Sequence, residues 1–92
     1  MAKAIVTIKI MPESPDVNLT TLETMAKEKI AIFAGEGETR TEIEPIAFGL
    51  KAVKITFVMD EKLGSPDKVS EEIAVLEGIN SAEVVDVRRA VG

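Results

Sequence analysis

At 92 residues, with 46% hydrophobic and 29% charged side chains, the chain is apolar enough to fold and short enough for one compact domain, expected to span 1–92. It holds no cysteine and no histidine, which excludes disulfides, thiolate nucleophiles, imidazole bases and nearly every zinc site, and leaves only carboxylate chemistry. A net charge of −5 argues against nucleic-acid binding through bulk electrostatics, although Lys51 with Lys54, or Arg88 with Arg89, would supply a local basic patch.

The first segment, "KAIVTIKI" at 3–10, alternates Ala4, Val6, Ile8 and Ile10 with Lys3, Ile5, Thr7 and Lys9, the period-two pattern of a half-buried strand. Its mild alternation and scattered lysines fit neither a signal nor a transit peptide, and no apolar run approaches the roughly 20 residues of a membrane span, so a cytoplasmic protein is expected. "MPESPDVN", with two prolines, reads as a loop. From Asn18, an expected N-cap, the spacing of Leu19, Leu22, Ala26, Ile30 and Phe33 predicts an amphipathic helix closed by Gly35 and Gly37. "ETRTEIEPIAFG" mixes β-branched residues with charges and suits a little-buried second strand ahead of Pro45.

"KAVKITFVM", residues 51–59, predicts a stronger, central third strand with Val53, Ile55, Phe57 and Met59 on its apolar side. Ser65 and Pro66 form a cap and first-turn pair for a second helix carrying Val69, Ile73 and Leu76 and ending at Gly78. "SAEVVDVRRAV", residues 81–91, closes the chain as a fourth strand. The order β-α-β-β-α-β predicts an α+β, ferredoxin-like sandwich: a four-stranded antiparallel sheet with two helices on one face, the other face, with Lys54 and Thr56, partly open.

No GxxxxGK[ST] or GxGxxG loop is present, so the chain is not expected to hold a nucleotide itself, and no cofactor or metal is expected. The acidic neighbours Asp60 and Glu61, and Glu71 and Glu72, point in different directions and read as solvated surface. RNA stacking on the sheet is disfavoured because the first strand has no aromatic and Phe57 sits on the core side of the third. Phe48 stands apart. It lies outside the third strand's alternation, between Ala47 and Gly49, with Pro45 stiffening the approach. Two roles remain open for it: a plug for the end of the core, or an exposed interface anchor.

At this corner the sequence becomes specific. "PIAFGLKAVKITFVMDEKLG" resembles the stretch of the elongation factor 1-beta family that runs through a Pro-Ile-x-Phe-Gly-Ile/Leu-Lys turn into a strand and an acidic loop. "IKIMPESPDVNLTTL" is similar to that family's first strand and loop, and "VVDVRRAV" to its closing strand, so the likeness runs along essentially the whole chain. Archaeal members are the exchange domain alone, and this chain, beginning at its first strand, resembles them.

The resemblance implies a ferredoxin-like fold and exchange of GDP for GTP on elongation factor 1-alpha, the GTPase that brings aminoacyl-tRNA to the ribosome, without covalent chemistry. It implies that Phe48 wedges into the GTPase, with Pro45 and Gly49 shaping the corner and Lys51 making a polar contact beside it. The loop at 12–16 is expected to lie against the same partner. Eukaryotic members carry a lysine near the C-terminus that reaches the magnesium and phosphate site, whereas "DVRRAVG" offers Arg88 and Arg89 as the nearest cations, either for acidic GTPase groups or as a solvated strand end. The rival classes are a ligand-binding regulatory module and an RNA-binding domain.

Overall fold

The computed structural model describes residues 2–35 and 37–90. Over them run β1 (Lys3–Pro12), α1 (Leu19–Ala34), β2 (Thr39–Pro45), β3 (Lys51–Asp60), α2 (Asp67–Ala74) and β4 (Ile79–Ala90), with a short 3-10 turn at Glu61–Leu63. All strand pairs are antiparallel and the sheet order is β2-β3-β1-β4, which places β3 and β1 at the centre and gives the expected ferredoxin-like α+β fold.

The alternation in β1 and β3 becomes a buried face because the two strands pair in phase. Val6 lies opposite Phe57, Ile8 opposite Ile55 and Ile10 opposite Val53, and this face packs against Leu22, Ala26 and Ile30 of α1 and Val69 and Ile73 of α2. Each fully buried aliphatic side chain contributes about 1.5–3 kcal/mol of transfer free energy. On the other face Ile5, Thr7, Lys9, Lys54 and Thr56 remain half-buried, with no helix over them. The hydroxyls of Thr7 and Thr56, directly opposite each other, share a 3.0 Å hydrogen bond there.

The helix starts follow local chemistry. Asn18 Oδ1 accepts from the N–H groups of Thr20 at 2.9 Å and Thr21 at 3.1 Å, satisfying two donors that the first turn of α1 would otherwise orphan. Before α2, Ser65 Oγ accepts from Asp67 N at 3.1 Å, and the Pro66 carbonyl takes the N–H groups of Val69 and Ser70.

Several boundaries differ from the sequence expectation. β1 continues through Met11 to Pro12, which is buried and paired only with Ile79 of β4 at a register irregularity, a position where a missing N–H is tolerated. α2 stops at Ala74 rather than Gly78; Leu76 N donates to Ile73 O and Ile79 N to Leu76 O, a tighter coil that still packs Leu76 against the core. β4 begins at Ile79, two residues before the expected Ser81, because Ile79 is buried. Its expected end at Val91 lies outside the described residues.

β4 also carries a bulge that sequence reading did not anticipate. Ile8 faces Val84 while Thr7 faces Asp86, so Val85 is the extra residue and the alternation changes phase there. Val84 and Val87 therefore share the helix side of the sheet, and Asp86 and Arg88 line the open face. The phase change is written in the Val84-Val85 doublet.

Replacing Phe57, 2% exposed in this core, with alanine is expected to cost about 3–5 kcal/mol in urea-induced unfolding followed by circular dichroism.

Candidate functional site

The last β2–β3 pair is Pro45 with Lys51, and the chain reverses between them. Ile46 N donates to Leu50 O at 2.9 Å, and Leu50 N donates to Ala47 O at 2.9 Å. The second bond closes a four-residue turn whose central residues are Phe48, at φ +54°, and Gly49, at φ +80°. Positive φ at both central positions is the signature of a type I′ turn, whose preferred pair is Asn-Gly. Gly49 takes this conformation freely. Phe48 does not, because a left-handed residue with a Cβ costs roughly 1–2 kcal/mol, and it is the only non-glycine with positive φ among the described residues.

That strain is not offset by burial. The Phe48 side chain is 97% exposed, so the core-plug role is excluded; the ring stands in solvent beside Ile46, itself 41% exposed. An aromatic that gives up both its burial and its preferred backbone is a mark of a binding site rather than of a stabilising element.

The β1–α1 loop forms the neighbouring wall. A Cβ placed on Gly49 would meet Pro15 Cβ and Cγ at 3.8 Å, so the Pro15 ring covers that side of the turn. Between loop and corner lies a cleft of about 210 Å³, lined by Pro12, Pro15, Val17 and Leu19 together with Ser14, Gly49 and Lys51. Lys51 is exposed at the mouth of β3 and, among the described residues, engages in no ion pair.

The structure therefore brings Pro45, Phe48, Gly49 and Lys51 together. It sets Arg88 and Arg89 at the other end of the sheet: Arg89, Ala4 and Met59 occupy one row, about 25 Å along β3 from Lys51. Both basic patches dissolve into separate sites. Lys54 faces the open side of the sheet, where Glu44 takes Lys9 at 3.2 Å and Lys54 at 3.5 Å. Arg88 Nε lies 2.9 Å from Asp86 on that same side, while Arg89, on the helix side, holds both oxygens of Glu61 at 3.0 and 3.1 Å. The hydrogen bond from Lys9, then the charges of Lys9 and Lys54, hold the Glu44 carboxyl below its ordinary value, and Arg89 does the same for Glu61, chiefly through its hydrogen bonds.

The approach of the β1–α1 loop to this corner was not legible in the sequence, since it joins segments far apart in the chain. Residues 5–90 match the EF-1 guanine nucleotide exchange domain family. The chain is 39% identical to the elongation factor 1-beta of Methanothermobacter thermautotrophicus, over 97% of this chain and 98% of the relative, and 43% identical to that of Methanosphaera stadtmanae, over 89% and 90%. Among solved structures it is similar to the de novo designed protein Foldit4, with a TM-score of 0.62 at 20% identity over 98% of each chain, a likeness of fold alone.

Phe48→Asn would install the preferred Asn-Gly pair and is expected to stabilise the protein by about 1 kcal/mol, raising the melting temperature by about 4–8 °C in calorimetry. For Glu61, a folded pKa below the ordinary 4.5 means its contribution is present above that value and is lost as pH falls through the folded one. Glu61→Gln is thus expected to lower the melting temperature slightly at neutral pH, the difference from the parent disappearing in a titration carried well below pH 4.5.

Proposed function

The chain belongs to the EF-1 guanine nucleotide exchange domain family and promotes guanine-nucleotide exchange in translation elongation; we propose that it does so by binding the nucleotide-free form of elongation factor 1-alpha through the Phe48 corner. The observation that carries this mechanism is the fully exposed ring held in a left-handed turn.

The physics is linkage. A factor that binds the empty GTPase more tightly than the GDP-bound form must weaken GDP binding by the same ratio, and every 1.4 kcal/mol of that difference is about tenfold. Exchange of this kind makes and breaks no covalent bond, so the chain needs geometry rather than an acid, a base or a nucleophile. Phe48 supplies the apolar insertion. Pro45 and Gly49 set the direction from which it enters, since one fixes φ and the other accepts the left-handed conformation. Lys51, at the edge of the same cleft, takes a carboxylate of the GTPase. Arg88 and Arg89 face acidic groups of the same partner at the far end of the sheet, Arg88 being the less constrained because it makes one hydrogen bond, to Asp86 of its own strand, where Arg89 makes two to Glu61. We place this activity in one domain spanning 1–92, acting in the cytoplasm.

The test is release of fluorescent GDP from archaeal elongation factor 1-alpha. The parent is expected to accelerate release, and Phe48→Ala and Phe48→Asn, both folded by circular dichroism, to be at least about tenfold less effective, the usual consequence of losing an aromatic hot spot. A parent that leaves GDP release unchanged at every concentration and magnesium level overturns the proposal.

A further inference from the structure

We propose that the cleft beside the corner is a receptor for the GTPase: it takes one apolar side chain of that partner, next to the carboxylate that Lys51 engages. The inference rests on the exchange mechanism above and adds its reciprocal contact, a hollow on this chain filled by a projection of the other.

The cleft is built into the fold. Pro12 ends β1 and is buried, Leu19 opens α1, and Val17 and Leu19 both pack against the hydrophobic core, so these walls stand on the folded body. The loop between them is turned by a hydrogen bond from Val17 N to Ser14 O at 3.3 Å, and Glu13 N ties it to the α2–β4 connection by donating to Gly78 O at 3.0 Å. At about 210 Å³ the cleft exceeds the roughly 150 Å³ of an apolar cavity that accommodates benzene. One side chain the size of leucine, methionine or phenylalanine fits.

The chemistry of the cleft selects the occupant. Pro12, Pro15, Val17 and Leu19 make its lining mainly apolar. The polar side chains there are Ser14, whose Oγ already accepts from Asp16 N at 3.3 Å, and Lys51, exposed and without an ion pair among the described residues. A well-held water needs roughly two to four polar partners, and such walls offer few. An apolar side chain flanked by an aspartate or glutamate answers both features: its hydrocarbon fills the walls, and the carboxylate meets the ammonium of Lys51.

Position brings that occupant to the cleft. Gly49 lines it and directly follows Phe48, so a GTPase surface closing around the ring extends over the neighbouring opening. A flat surface there would trap a void, and the apolar walls would forgo the dispersion contacts of a filled cleft. Binding energy concentrates where an anchor is seated in a desolvated pocket. Phe48 and the cleft thus form a pair of opposite sense, one entering the partner and the other entered by it.

The test uses the protein carrying labelled valine and leucine methyl groups, titrated with nucleotide-free archaeal elongation factor 1-alpha. In the complex the Val17 and Leu19 methyls are expected to become inaccessible to a soluble paramagnetic chelate and to show NOEs to an aliphatic or aromatic side chain of the GTPase. Val17→Phe, which fills the cleft from its own wall and is checked for folding by circular dichroism, should raise the concentration for half-maximal GDP release about tenfold while the maximal rate is kept. Methyls that stay accessible in the complex, methyls covered by a second copy as the free protein is concentrated, or a folded Val17→Phe variant with an unaltered half-maximal concentration each overturns the proposal. A parent whose cleft is covered in the complex without faster GDP release overturns the exchange mechanism and leaves the docking contact standing. Faster release with the methyls still accessible does the reverse.

Discussion

The pairing of β3 with β1 is the constraint on which both ends of the sheet depend. Ile8 meets Ile55 and Val6 meets Phe57 on the helix side, while Thr7 meets Thr56 on the other and their hydroxyls bond at 3.0 Å. A slip of one residue would turn every one of these apolar side chains to the open face and separate the two hydroxyls, so burial and polar contact specify the same register. β2 then follows β3 in step, Thr41 against Ile55 and Pro45 against Lys51, and the reversal must fall at Ala47–Leu50. The place from which Phe48 projects is thus a consequence of core packing that begins at Ala52 and Val53, a few residues along β3 from the corner.

Part of the molecule's charge is answered within it. Glu44 lies between Lys9 and Lys54, Arg88 beside Asp86, Arg89 across two oxygens of Glu61, and Lys27 against Glu23. Pairs this exposed contribute little to stability, but they leave the sheet face without a field of one sign. At the corner the ring of Phe48 stands exposed, with Lys51 nearby.

The central strands were legible because their alternation is strong and their neighbours on both sides make one face dry; Val6, Ile8, Ile55 and Phe57 ended where the pattern put them. Asn18 was legible because capping is local chemistry. Pro12, Leu76 and Ile79 were misread at the element ends, since each is decided by a partner remote in sequence: Pro12 and Ile79 by each other, Leu76 by the core beneath it. The corner was legible as a motif and not as a conformation. Whether Phe48 plugged or projected depends on the φ of Phe48 and on whether the helices left room at that end, neither of which is encoded by the residues beside it. Arg88 and Arg89 adjoin in sequence yet lie on opposite faces, which strand geometry alone foretells.

The bulge in β4 bears on how the molecule tolerates its own kind. β4 is twelve residues long and forms an outer edge of the sheet, with Val85 44% and Val87 53% exposed. A flat strand of that length and composition would template the addition of an identical strand from another copy, the first step toward fibrils. The extra residue at Val85 breaks the even spacing of free N–H and C=O groups along that edge and increases its twist. Two copies brought edge to edge could not zip along the whole strand, so resistance to aggregation is built into the backbone of β4 instead of being left to the charge of its side chains.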